Sequence, residues 1–248
     1  MKIEFVTHCW QYWRCLTLQL SSFLLHPPSD TSVLVSVCYC PEDTLTQRRM
    51  GQIEEWSQAT GMPDMVEFRG IAMEKEMLCR RAIGRNQLAL TTDADWVWFA
   101  DCDMVFRGHA IDALAGVLAD AGEAKMVYPQ TVRATSQASG DKTIFNVDEN
   151  WAGPVDVELE SWGEKRYHAA IGGAQIVRAD VCHSEGYLNK YPGYRRPEKV
   201  WKRTHEDPLF RRKCIGGRGM PVRDAVVCSG VGRVRHSQRG RFDIGLEM

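Results

Sequence analysis

The first half of the chain alternates short apolar runs with helix-like segments, and this restricts the possible folds more than any other feature. Ile3 to Val6 reads as a strand. Leu16, Leu20, Phe23 and Leu24 then recur at the spacing of one helix face, and Pro27-Pro28 stops that helix. Val33 to Val37 is a β-branched strand, a polar helix runs from about Thr44 to Gly61, and Met65 to Phe68 is a short strand. A helix from about Glu74 to Leu90 leads into the strand Trp96 to Ala100. Ile111, Leu114, Ala115 and Leu118 mark one face of the next helix, Gly122 ends it, and Met126 to Tyr128 is strand-like. Strands and helices in this order predict an α/β domain with a mostly parallel central sheet flanked by helices.

After Pro129 the character changes. Val155, Val157 and Leu159 alternate with acids, as on a half-exposed strand, and Ala174 to Val177 and Ala225 to Cys228 are further strand candidates. A smaller antiparallel part is expected here. The change divides residues 1–129 from residues 130–248 as two halves of one compact domain.

At 248 residues the chain can bury a sizeable core. A net charge of −1 argues against nucleic acid or an acidic membrane surface as partner. From Pro208 to Arg241, however, nine Lys or Arg face a single acid, Asp224. The nine cysteines are irregularly spaced and show no paired zinc pattern, so a reducing cytoplasm is the simplest expectation. The strand-like "IEFV" from residue 3 speaks against a signal peptide. No apolar run approaches the ~20 residues of a membrane span.

The stretch "DADWVWFADCDMVFRG" places Asp101 and Asp103 directly after the most apolar strand. Alternate residues of an extended chain point the same way, so both carboxylates can face one side. In open α/β sheets, ligands bind beyond the carboxyl ends of the strands. Two anions that close need a cation between them, and hard divalent ions that share their ligand sites with phosphate meet that need. A plain polar turn is the competing reading. On the preceding helix Arg85 lies in the middle of a face formed by Leu78, Ala82 and Ala89. A guanidinium there requires an anion such as a diphosphate or Asp101, unless it reaches back to the helix end.

The segment "CRRAIGRNQLALTTDADWVWFADCD" resembles the GT-A glycosyltransferases, which use nucleotide-sugar donors, and in particular their family-two pattern. The resemblance covers about the first 110 residues well and is patchy afterwards. It implies a single GT-A, Rossmann-like domain and transfer of a sugar, from a UDP-sugar by preference, to an acceptor hydroxyl. It implies Asp103 at a Mn²⁺ (or Mg²⁺), with Asp101 at the metal or the ribose. It also places the loop after the first strand, Thr7 and His8, at the nucleoside, and Gly173 of the pair Gly172-Gly173 near the donor sugar.

In "RTHEDPLFRRK", Pro208 suits the first turn of a helix, which would make Asp207 its N-cap. The resemblance instead makes Glu206-Asp207 the acceptor-site pair. Asp207 is then the preferred base, and Glu206 takes that part if Asp207 is a cap. The closing "GRVRHSQRGR" would bring His236 to the metal and Arg233, Arg235, Arg239 and Arg241 to the departing diphosphate. Inversion at the anomeric carbon is the preferred outcome. The expected partners are a nucleotide-sugar donor and a saccharide or other hydroxyl acceptor. Three alternatives remain open at this point. Asp101-x-Asp103-x-Val105 also fits haloacid-dehalogenase-like phosphatases, a sugar nucleotidyltransferase shares a similar sheet, and a binding module could lack catalysis.

Overall fold

A computed structural model describes residues 1–60, 65–150, 153–200 and 205–237. The strands are β1 (Lys2–Cys9), β2 (Ser32–Tyr39), β3 (Val66–Ala72), β4 (Trp96–Ala100), β5 (Met104–Phe106), β6 (Met126–Pro129), β7 (Thr131–Ala134), β8 (Gly163–Arg166), β9 (Ala174–Arg178), β10 (Met220–Val222) and β11 (Val231–Arg233). The helices are α1 (Trp13–Leu25), α2 (Thr44–Thr60), α3 (Lys75–Leu78), α4 (Arg81–Thr91), α5 (Ala110–Ala119), α6 (Gln137–Phe145), α7 (Ala179–Glu185), α8 (Glu206–Phe210) and α9 (Ala225–Gly230).

Among the described residues the main sheet runs β10-β6-β9-β4-β1-β2-β3. β3, β2, β1 and β4 are parallel neighbours, and β9 is inserted antiparallel between β4 and β6. Every residue of β4 is buried, because the sheet continues on both its edges and helices cover it. The second sheet runs β5-β11-β7-β8. The sequence predicts an antiparallel part here, but the sheet is mixed, since β11 pairs parallel with β7 and antiparallel with β5. No described helix is long and apolar enough to cross a membrane.

Three predicted elements form differently. The helix expected from Glu74 to Leu90 is broken into α3 and α4 at Arg80, whose φ of −108° and ψ of 86° leave the helical region. Arg80 there makes ion pairs with Glu198 and Glu206, which compensate for the lost turn. The strand expected at Ala225 to Cys228 is α9. Asp224 caps it by accepting from Val226 N at 2.9 Å and Val227 N at 3.0 Å, and the cap outweighs the valines' preference for strand. Val155 to Leu159 keeps its alternation, with Val157 and Leu159 buried, but it joins neither sheet. Its acids Asp156 and Glu160 instead pair with Arg107 at 3.3 and 3.0 Å.

An aromatic cluster fixes the turn between β4 and β5. Trp98 on β4 stacks on Phe5 of β1, with ring centroids 5.1 Å apart, and meets Phe106 of β5 edge-on at 5.1 Å. Trp98 Nε1 also donates to the Gly173 carbonyl at 3.0 Å, which ties β4 to the start of β9. The chain segments on either side of Asp101-Cys102-Asp103 are thereby held in one packed core.

Candidate functional site

The turn carrying Asp101 and Asp103 lies at the carboxyl end of β4, beside the carboxyl end of β1, as expected for a ligand site in such a sheet. Its backbone is held from three sides. Met104 N donates to the Asp101 carbonyl at 3.1 Å, and Gln19 Nε2 of α1 donates to the same oxygen at 2.9 Å. Val234 N, just after β11, donates to the Asp103 carbonyl at 2.8 Å. The buried Gln19, a polar residue in an otherwise apolar helix, therefore has a defined task.

Arg85 is 0% exposed. It does not reach back to the helix end. Its Nη1 donates to Asp207 Oδ1 at 2.7 Å and to Tyr187 Oη at 3.0 Å, while Nη2 donates to the Gly172 carbonyl at 3.0 Å and lies 3.4 Å from Asp101 Oδ1. Burial works against its charge, but Tyr187, Asp207 and Asp101 outweigh burial and keep the guanidinium more firmly protonated than a free arginine. Arg81 lies four residues earlier, on the same helix face. It bonds Asp101 Oδ1 at 2.8 Å and Asp207 Oδ2 at 3.3 Å. Two guanidinium groups of α4 thus join the Asp101 turn to Asp207.

Asp207 is not the N-cap of α8. The helix starts at Glu206, with His205 in the cap position, and the Asp207 side chain turns into the site, where Tyr187 Oη also donates to Oδ1 at 2.7 Å. Burial would raise its pKa, yet Arg85 and Arg81 hold it below the ordinary value. Glu206 is 1% exposed and has Arg80 Nη1 3.6 Å away. Neither of its oxygens has a hydrogen-bond partner, and burial raises its pKa. The two adjacent acids are therefore driven in opposite directions by their surroundings.

The glycine pair is a packing requirement. A Cβ on Gly172 would lie 2.5 Å from Asp207 Oδ2, and one on Gly173 would lie 3.0 Å from Asp101 Oδ2. Asp207 approaches the backbone where only glycine leaves room, and a Cβ on Gly173 would crowd Asp101. Gly84 of α4 serves the other side, since a Cβ there would lie 2.5 Å from His8 Nε2.

A cleft of about 340 Å³ opens over these groups, lined by His8, Trp10 and Tyr12 on one side and by Asp101, Asp103 and Arg81 on its floor. Tyr167, Lys165, Arg233, Arg235 and His236 close it. Burial, then Arg85 and Arg81, push the His8 imidazole well below its usual pKa, so it is neutral. Thr7 does not line the cleft. It is fully buried in β1, because its side chain takes the alternate direction from His8. Arg239, expected at the diphosphate, lies outside the described residues, as does Arg241.

Whether these residues fit a divalent ion can be judged from their partners. Asp103 Oδ1 is buried without a partner, an oxygen that an ion could use. Asp103 Oδ2, however, accepts from Arg233 Nε at 3.0 Å, and Asp101 Oδ2 lies 3.5 Å from Arg233 Nη2. His236, expected as third ligand, donates from Nδ1 to the Ser237 carbonyl at 2.9 Å, which leaves Nε2 as its only open nitrogen, and sets its ring edge-on to Tyr12. Among the described residues no three His, Cys, Asp or Glu side chains form a ligand set. As arranged, the donor set does not fit a metal ion.

Arg81, Tyr187, Gln19 and Lys165 have no part in the sequence-based site. Arg81 was accessible to that reading, as it shares the face of Arg85. Tyr187 arrives from beyond α7 with no local signal.

Solved structures share this fold. The chain aligns with S. aureus TarS 1-349 in complex with UDP-GlcNAc at a TM-score of 0.55 and 12% identity, over 96% of this chain and 59% of that one. It aligns with TarS 1-349 in complex with UDP at 0.54 and 14% identity, over 98% and 62%. The mannosyltransferase PcManGT from Pyrobaculum calidifontis, in complex with GDP-Man and Mn²⁺, aligns at 0.54 and 13% identity, over 94% and 56%. The chain thus spans about 60% of the length of these structures. No family model matches the sequence, and no curated protein matches it. The fold is that of the GT-A-type glycosyltransferases.

Proposed function

We propose that this chain, with its GT-A fold, transfers a sugar from a nucleoside-diphosphate sugar to an acceptor hydroxyl. One observation carries this reading: Arg81 and Arg85 of α4 bind both the Asp101 turn and Asp207, beneath a cleft lined by further cations and aromatic rings. A donor diphosphate supplies the anion that such a cleft is built to hold. Trp10, Tyr12 and His8 offer flat surfaces for a nucleoside. UDP is the preferred nucleotide, and the TarS and PcManGT neighbours, bound to UDP-GlcNAc and to GDP-Man, support a nucleotide sugar in general. In this reading residues 1–129 hold the donor and residues 130–248 receive the acceptor, a saccharide or another hydroxyl compound. Unpaired cysteines suit a reducing compartment such as the cytoplasm.

In the reaction the anomeric C–O bond breaks, with its electron pair passing to the diphosphate. Arginine and lysine side chains stabilise that charge as it grows. The acceptor oxygen bonds the anomeric carbon from the opposite face, giving inversion, and its proton passes to Asp207. Asp207 is ionised but weakly basic, so it takes the proton late, when the attacking hydroxyl has become acidic. Glu206, with its side chain 1% exposed and Arg80 beside it, is less open to an acceptor than Asp207, whose side chain is 14% exposed. Mn²⁺ accompanies GDP-Man in PcManGT, whereas here Arg233 stands at the two carboxylates that such an ion would use.

A haloacid-dehalogenase-like mechanism requires Asp101 as a nucleophile, but its two oxygens face Arg81, Arg85 and Arg233. Release of nucleoside diphosphate from a panel of UDP- and GDP-sugars tests the proposal. Asp207→Asn should lower the rate by about 10²- to 10⁴-fold. Release of pyrophosphate would point to a nucleotidyltransferase, and phosphate from simple monoesters to a phosphatase.

A further inference from the structure

Asp101 and Asp103 stand where a GT-A fold leads one to expect a divalent ion, yet a guanidinium already occupies the space between them. Strand register explains how it arrives. β11 runs antiparallel to β5 with Arg233 opposite Met104, so the Arg233 side chain starts one residue from Asp103. Its Nε donates to Asp103 Oδ2 at 3.0 Å, and Nη2 reaches Asp101 Oδ2 at 3.5 Å. The planar fork of arginine presents Nε and Nη2 to two carboxylates in one fixed geometry, whereas a lysine offers a flexible point charge. Gly232 keeps the strand close, since a Cβ there would lie 2.6 Å from Leu159 Cδ2 and 2.8 Å from Val105 Cγ2.

The charges of the site balance. Arg81, Arg85 and Arg233 answer Asp101, Asp103 and Asp207. Lys165 and Arg235 line the same cleft outside that set of pairs and can meet the negative charge of a diphosphate. A divalent ion would have to displace Arg233 from both carboxylates.

We propose that Arg233 is the resident cation of this site, standing between Asp101 and Asp103 in place of a divalent ion, so that a nucleoside diphosphate binds without metal. The ligand named here rests on the nucleotide-sugar reading. The occupancy of the two carboxylates by Arg233 does not.

The test uses the full chain in two arms. In the first, UDP and GDP are titrated calorimetrically in excess EDTA and in excess MnCl₂. Affinity should agree between the two buffers within about twofold, and Arg233→Met should lose about tenfold or more in EDTA. In the second, Mn²⁺ alone is added and its free electron-spin resonance signal is followed. The wild type should leave that signal unchanged. Arg233→Met, which releases Asp103 Oδ2 and Asp101 Oδ2, should bind Mn²⁺. Arg233→Lys, which keeps a charge, provides a second variant if the methionine form does not fold, and it should remain insensitive to EDTA. Binding of Mn²⁺ by the wild type overturns the proposal. So does nucleotide affinity that collapses in EDTA, or a folded Arg233→Met that takes no Mn²⁺. If neither nucleotide binds in either buffer, the donor reading fails, and the Mn²⁺ arm still decides the role of Arg233.

Discussion

Replacing Arg85 by methionine would leave Asp207, the Tyr187 hydroxyl and the Gly172 carbonyl without their shared donor. Breaking one side of a buried ion pair destabilises by about 3–5 kcal/mol, because the remaining charge stays buried. Urea denaturation should show that loss for Arg85→Met, and a change near zero would mean that the pair is not formed. His8 makes a separate prediction. Its folded pKa lies well below the ordinary 6.5, so on acidification the unfolded chain binds the proton first. Stability should therefore fall as pH drops below 6.5, by at most about 1.4 kcal/mol per pH unit from this group. His8→Phe should remove that part of the slope in denaturation curves taken at several pH values. Arg85 was legible in the sequence because a lone charge on an apolar helix face demands a partner. The identity of that partner was not, since Asp207 lies 122 residues away and neither contains a local sign of the other.

Elements with strong periodicity were legible, and those decided by a single side-chain contact were not. α5 and β4 follow from apolar spacing alone, and their predicted core residues are buried. The break between α3 and α4 has no glycine or proline to announce it and depends on the ion pairs of Arg80 with Glu198 and Glu206. α9 depends on one capping aspartate ahead of two valines. The Gly172-Gly173 segment entering β9 lies between these extremes. Its glycines were visible, but not that they make room for Asp207 and Asp101. Gly172→Ala should push Asp207 out of line while most of the core stays as it is. We expect nucleoside-diphosphate release to drop by about 10²-fold, as a misplacement near 1 Å can do, and the melting temperature to fall as the Asp207–Arg85 pair is strained. A variant with unchanged turnover would show that Asp207 need not sit against this backbone.

At the scale of the whole molecule, the α/β order of the first half was readable because a parallel sheet forces long apolar strands to alternate with helices. The mixed sheet was not, because β5, β11, β7 and β8 are three or four residues each and owe their pairing to distant partners. That sheet nevertheless completes the cleft, as it carries Arg233 on β11 and Lys165 on β8 to Asp103. The central claim is that this cleft holds a nucleoside diphosphate among the cations that line it, Arg81, Lys165 and Arg235. The most direct measurement is thermal unfolding with UDP and GDP, for the wild type and for Arg81→Ala. A ligand at 100 times its Kd should stabilise the wild type by about 2.7 kcal/mol. For a chain of this size that is a rise of roughly 5–10 °C. The account predicts this rise with at least one of the two nucleotides and its loss in Arg81→Ala at the same concentration. No rise with either nucleotide, or an equal rise in the variant, would contradict it.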